Sequence, residues 1–187
     1  MTEEQKIKRI LQIARVRERV RRLEESHPHL KDFGEFLDEF NDETERGAAL
    51  AAAAFLDELL DRAISALLID NDGQKSLRAG FNAPLGTFSA RIAACYAMGL
   101  ISEGEYRECE LIRKVRNEFA HRVKMSFEND KVRSLCDRLT FAIKEADGVK
   151  LHPRGQFTTA AVSLILHLTN RPHYVRKRAL KPEDWPY

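Results

Sequence analysis

A chain of 187 residues, 43% apolar and 32% charged, can bury a core of its own and stay soluble, and with only 9 Gly and 6 Pro it favours helices over strands. A formal net charge of +2 excludes a chain that binds polyanions along its whole surface, so the distribution of charge matters more than the sum. Three cysteines with no close pair exclude a disulfide framework and CxxC zinc sites, and point to a reducing cytoplasm.

The opening segment, "MTEEQKIKRILQIARVRERVRRLEE", lacks the apolar stretch of a signal peptide. Ile7, Ile10, Leu11, Ile13, Ala14, Val16, Val20 and Leu23 recur at helical spacing, with basic residues in the gaps. Through residue 22 there are eight Lys/Arg against three Glu. Two readings follow: an amphipathic helix packed on the core or on its twin in a dimer, or an arm that contacts nucleic acid through residues 6–22. Pro28 breaks this helix, and His27 and His29 read as loop residues. "FGEFLDEF" is a short acidic helix, so residues 1–42 form an N-terminal helical arm.

Thr44 is a candidate N-cap for "ERGAALAAAAFLDELLDRAISALLID", the clearest helix in the chain. Leu50, Ala54, Leu60, Ile64 and Leu67 or Leu68 give it the apolar face of a central core helix, and acids interrupt its apolar run well short of a membrane span. "DNDG" ends it. Residues 72–86 read as a long loop whose Phe81 and Leu85 tuck against the core. "TFSARIAACYAMGL" is helical up to Gly99, a glycine at a helix C-terminus. Ser102 and Glu105 then form a capping box that opens "SEGEYRECELIRKVRNEFAHR". "SFENDKVRSLCDRLTFAIKEADG" reads as a turn and one more helix, closing a core of residues 43–146. Residues 147–187 add the helix "FTTAAVSLILHL" and a basic tail, whose residues 171–181 are a second candidate for weak nucleic-acid contact. The fold class is all-α: a helical bundle with a basic N-terminal helix and a C-terminal helical extension.

The chemistry concentrates in the helix after Ser102. Glu108, Leu111, Ile112, Val115 and Phe119 share its inward side, while Arg113, Asn117 and His121 make a polar stripe at i, i+4, i+8. Arg116 stands about 100° from Asn117, within reach of that stripe. A His as general acid or base and an Arg beside a charged phosphate are what metal-free RNA cleavage needs. Arg116-Asn117-x-x-x-His121 resembles the R-x4-6-H motif of the HEPN superfamily, small helical domains of which many are metal-independent ribonucleases working as dimers. By that resemblance Arg116 and His121 are the catalytic pair and Asn117 their polar neighbour, in a toxin or defence effector. No P-loop, G-x-S-x-G or HExxH is present, and scattered His152, His167 and His173 suggest neither a metal nor a cofactor.

A longer resemblance runs from about Glu45 to Val132. "ERGAALAAAAFLDELL", "APLGTFSARIAACYAMGLISEGEYRECELIRKVRNEFAH" and "SFENDKV" together resemble the mannitol operon repressor (MtlR) family. The resemblance implies a cytoplasmic, dimeric, helical regulator of transcription. No groove-reading DNA motif accompanies it, so a protein partner is the expected route of action, and the expectation is a non-enzymatic protein. Binding candidates are Glu45 and Arg46 at the first turn of the central helix, Arg113, and Arg91, which lies four residues after Thr87 and is expected to face Glu45 or Glu58.

Overall fold

The computed structural model describes residues 31–142 and 152–186; the basic N-terminal helix, with its candidate contact segment 6–22, lies outside the described residues. Among the described residues all regular structure is helical: α1 (Lys31–Asp42), α2 (Glu45–Leu67), α3 (Asp72–Arg78), α4 (Phe88–Ala97), α5 (Glu103–His121), α6 (Asp130–Cys136), α7 (Pro153–Thr169) and α8 (Arg171–Arg176). None of these helices is long and apolar enough to cross a membrane.

The bundle is organised around α2, which packs against α1, α4, α5, α7 and α8. Its composition explains this. Ala48, Ala49, Ala52, Ala53 and Ala63 are buried, so neighbouring backbones approach closely, while Leu56, Leu59, Leu60 and Ile64 fill the layers between them. Thr44 caps its start by accepting from the Gly47 amide at 3.0 Å. The buried face differs from the sequence expectation at its first end. Leu50 is half-buried and Ala54 exposed, because Ala49, Ala52 and Ala53 take the core side.

The 72–86 segment also differs. It begins with a helix, because Asn71 accepts from the Gln74 amide at 2.9 Å and so caps α3, four residues after α2 has ended at Leu67. Only residues 79–87 are loop. There Gly80 (φ 110) and Asn82 (φ 61) take left-handed backbone, and Phe81 between them is 98% exposed. Leu85 does pack against the core, held by its amide donating to the Leu77 carbonyl at 2.8 Å. The helix expected in the "SFENDKV" region is short. Asn129 caps it, Cys136 ends it, and Thr140 beyond it is pinned to buried Glu108, whose Oε1 accepts from the Thr140 amide and hydroxyl at 2.6 Å each.

The capping box forms as the sequence requires: the Ser102 amide donates to Glu105 at 2.8 Å and the Glu105 amide to Ser102 Oγ at 3.3 Å. Glu105 does more than cap. Arg171, at the start of α8, pairs with it at 2.6 Å and also donates to the Leu100 carbonyl at 2.6 Å, fastening α8 to the start of α5. The chain then returns to α2, where the Leu180 amide donates to the Leu67 carbonyl at 2.8 Å.

Candidate functional site

Helix α5 runs antiparallel to α2, so its polar C-terminal half lies beside the first turns of α2. Three contacts fix that end. Phe119, Phe127 and Phe157 form a chain of buried rings with centroids 4.9 and 5.1 Å apart, which folds the 122–127 turn back onto α5 and α7. Glu45 accepts from the Phe127 amide at 3.2 Å. Arg46 donates to the Arg122 carbonyl. An arginine in a first helical turn opposes the positive helix end, but here the negative end of α5 supplies its partner. Both residues are thereby placed as tethers of the turn after α5.

Arg91 reaches neither Glu45 nor Glu58. It pairs with Asp57 at 2.9 Å and Asp61 at 3.3 Å, and donates to the carbonyls of Leu85 at 2.9 Å and Arg78 at 3.3 Å. Asp57 and Asp61 lie one turn apart on the side of α2 that faces α4, whereas Glu58 turns outward and binds Arg62 at 2.5 Å. Arg78, in the segment read as loop, grips Asp61 with two nitrogens and also donates to Ser65 and Gln74. Sequence reasoning missed this network. Its one available signal was Asn71, a capping residue inside a turn-like "DNDG".

The polar stripe on α5 divides. Arg113 binds Glu110 through Nε at 2.9 Å and Nη2 at 2.8 Å, which holds the Glu110 carboxyl below its ordinary pKa. Arg116 is exposed and donates to Asn117 Oδ1 at 3.1 Å. His121, the last residue of α5, is exposed and hydrogen-bonds to nothing among the described residues. His121 lies five positions after Arg116 along the helix, which projects them about 140° apart and offsets them by about 7.5 Å. Glu118 binds Lys131 at 2.5 Å and lies 3.6 Å from Arg122; the Lys131 contact leads in holding its carboxyl below the ordinary range.

Arg113, Arg116 and Asn117 line one wall of an open groove of about 720 Å³. The opposite wall is residues 86–89, the entry to α4, and the floor is Leu50, Ala53, Ala54 and Asp57 of α2. His121 is not among the lining residues. The displaced Leu50 and Ala54 thus face this groove. Within the C-terminal candidate segment 171–181, Arg171 is an internal strut to Glu105, while Arg176, Lys177, Arg178 and Lys181 are exposed. Lys177 sits over the Tyr174 ring at 5.3 Å. Among the described residues no cluster of three His, Cys, Asp or Glu side chains could hold a metal ion. Burial pushes the thiols of Cys95 and Cys136 up to about 12 and raises that of Cys109 as well, so none is a poised nucleophile.

The architecture is that of an all-helical bundle built on one alanine-rich central helix, with its polar residues gathered on the helix beside it. No protein-family model matches the chain, and no curated protein matches it. Among solved structures, the fold is similar to that in the X-ray structure of the MtlR–HPr complex from Escherichia coli, with a TM-score of 0.55 and 22% identity, covering 76% of this chain and 97% of that one. At that identity the likeness establishes a shared fold.

Proposed function

We propose that this protein is a regulator of the MtlR type, cytoplasmic and homodimeric, which acts by binding a protein partner. The observation that carries the reading is the fold shared over nearly the whole of a neighbour captured in complex with a protein, HPr. The local geometry agrees with a binding surface more than with a reaction centre. Arg113 is held by Glu110, and Arg116 and His121 project to different sides of α5. General acid–base work needs both groups on one reacting phosphate, which a single protomer does not provide.

The test is calorimetric titration of the purified chain with HPr from the same organism. Saturable binding with a Kd below about 100 μM supports the reading, and no heat beyond dilution at that level refutes HPr as the partner. One observation favours a second reading, the ribonuclease: Arg116 and His121 are both exposed, and neither is paired with an acid among the described residues. Cleavage of labelled RNA in EDTA that disappears in both Arg116→Ala and His121→Ala would replace the regulator with the enzyme.

A further inference from the structure

We infer that the groove between α2, α4 and α5 is a binding site for a small phosphate monoester. It differs from the Arg116–His121 pairing and stands independently of the protein-partner reading.

The Arg116 guanidinium has five N–H groups, and its one hydrogen bond among the described residues is to Asn117 Oδ1. Asn117 is thereby oriented with its oxygen toward the arginine, which leaves its NH2 group to donate elsewhere. Arg113 commits Nε and Nη2 to Glu110 and keeps Nη1 uncommitted. That pair immobilises the guanidinium, so little ordering remains to be done when a ligand arrives.

Across the groove, the Thr87 and Ser89 hydroxyls hydrogen-bond to each other at 3.3 Å, which commits one of their two protons and leaves the other to donate to a ligand. Thr87 Oγ1 accepts from the Ala90 amide at 3.2 Å, while the Phe88 and Ser89 amides, at the first turn of the ten-residue α4, have no partner inside the helix. The one carboxylate on the floor, Asp57, forms an ion pair with Arg91 at 2.9 Å, although its buried Oδ1 makes no hydrogen bond among the described residues. Two guanidiniums, an amide and a hydroxyl pair therefore face one space, with Leu50, Ala53 and Ala54 as an apolar bed beneath.

This donor set suits a phosphoryl group with three terminal oxygens better than a carboxylate with two, because the donors come from two opposing walls. The apolar floor suits a compact organic body attached to it. A volume of about 720 Å³ is that of a small-molecule site. An extended nucleic acid would need a row of unpaired cations, and here Glu110 sits beside Arg113. With His121 outside the groove, the site binds and has no general acid to cleave.

The experiment is titration of the 15N-labelled full chain with phenyl phosphate at constant ionic strength, read by two-dimensional NMR. Saturable shifts are expected at the Thr87, Phe88 and Ser89 amides and the Asn117 side chain. Arg116→Gln, an exposed position that leaves the fold intact by circular dichroism, weakens binding by roughly tenfold, and Arg116→Lys weakens it less. Phenol at the same concentrations produces no such shifts. The inference is overturned by absence of saturation at millimolar ligand, by unchanged affinity in Arg116→Gln, or by shifts confined to residues 171–181.

Discussion

Arg91 is the side chain on which the placement of α4 depends, and Arg91→Met tests that. The substitution keeps an aliphatic stem of similar reach and deletes the guanidinium. Two ion pairs and two hydrogen bonds to carbonyls are lost together. Breaking a fully buried pair costs about 3–5 kcal/mol, while an exposed pair contributes about 0.2–1 kcal/mol. The side chains of Arg91, Asp57 and Asp61 are 15%, 29% and 20% exposed, which sets the loss nearer the buried limit. Asp61 keeps its grip from Arg78, whereas Asp57 is left with no cation among the described residues. The expected destabilisation is therefore about 3 kcal/mol, or roughly 6–12 °C in Tm for a chain of this length. Urea unfolding followed by circular dichroism measures it. Arg107→Met, which removes a pair with Glu103 whose side chains are 70% and 62% exposed, is the control and should change stability by less than about 0.5 kcal/mol. A loss below about 1 kcal/mol in Arg91→Met would show that packing alone seats α4 and would refute the reasoning.

Three further outcomes follow from the same structure. Burial acts to raise the Glu105 pKa, but the Ser102 amide and Arg171 outweigh it and hold the carboxyl below its ordinary value. The folded state then binds fewer protons than the unfolded state, so this contribution is present above about pH 4.5 and fades as pH falls through the lowered folded value; urea midpoints at pH 7, 5 and 3.5 should fall mainly over the last interval, and less so in Arg171→Leu. Gly99 holds φ 66 with open space around it, so Gly99→Ala should cost about 1 kcal/mol from backbone strain alone and Gly99→Asn less, by thermal melts. The three cysteines are buried, with their thiols raised, so a thiol reagent at pH 8 should label none in the native chain and all three in guanidinium.

Much of the helical layout was legible because its signals are local. Thr44, Ser102 with Glu105, and Gly99 act on the turn that contains them, and each sits where its side chain or its lack of one demands. The polar stripe on α5 was legible for the same reason, since spacing along one helix fixes which residues share a side. The partner of Arg91 was not. Glu45, Asp57, Glu58 and Asp61 are all acids on one helix, and only the rotation of α2 against α4 selects Asp57 and Asp61. The same rotation moves Leu50 and Ala54 off the core and under the groove. Alanine is small enough to pack on either side of a helix, so a run of them does not declare which face is buried.

The sequence by itself determined an all-helical chain, the positions of its principal caps, and a cluster of Arg, Asn and His late in the helix after Ser102. The tertiary structure alone decided what that cluster faces. It brought residues 86–89 opposite Arg113 and Arg116 and left His121 outside, because helix packing is set by side chains far apart in the chain and carries no local signature.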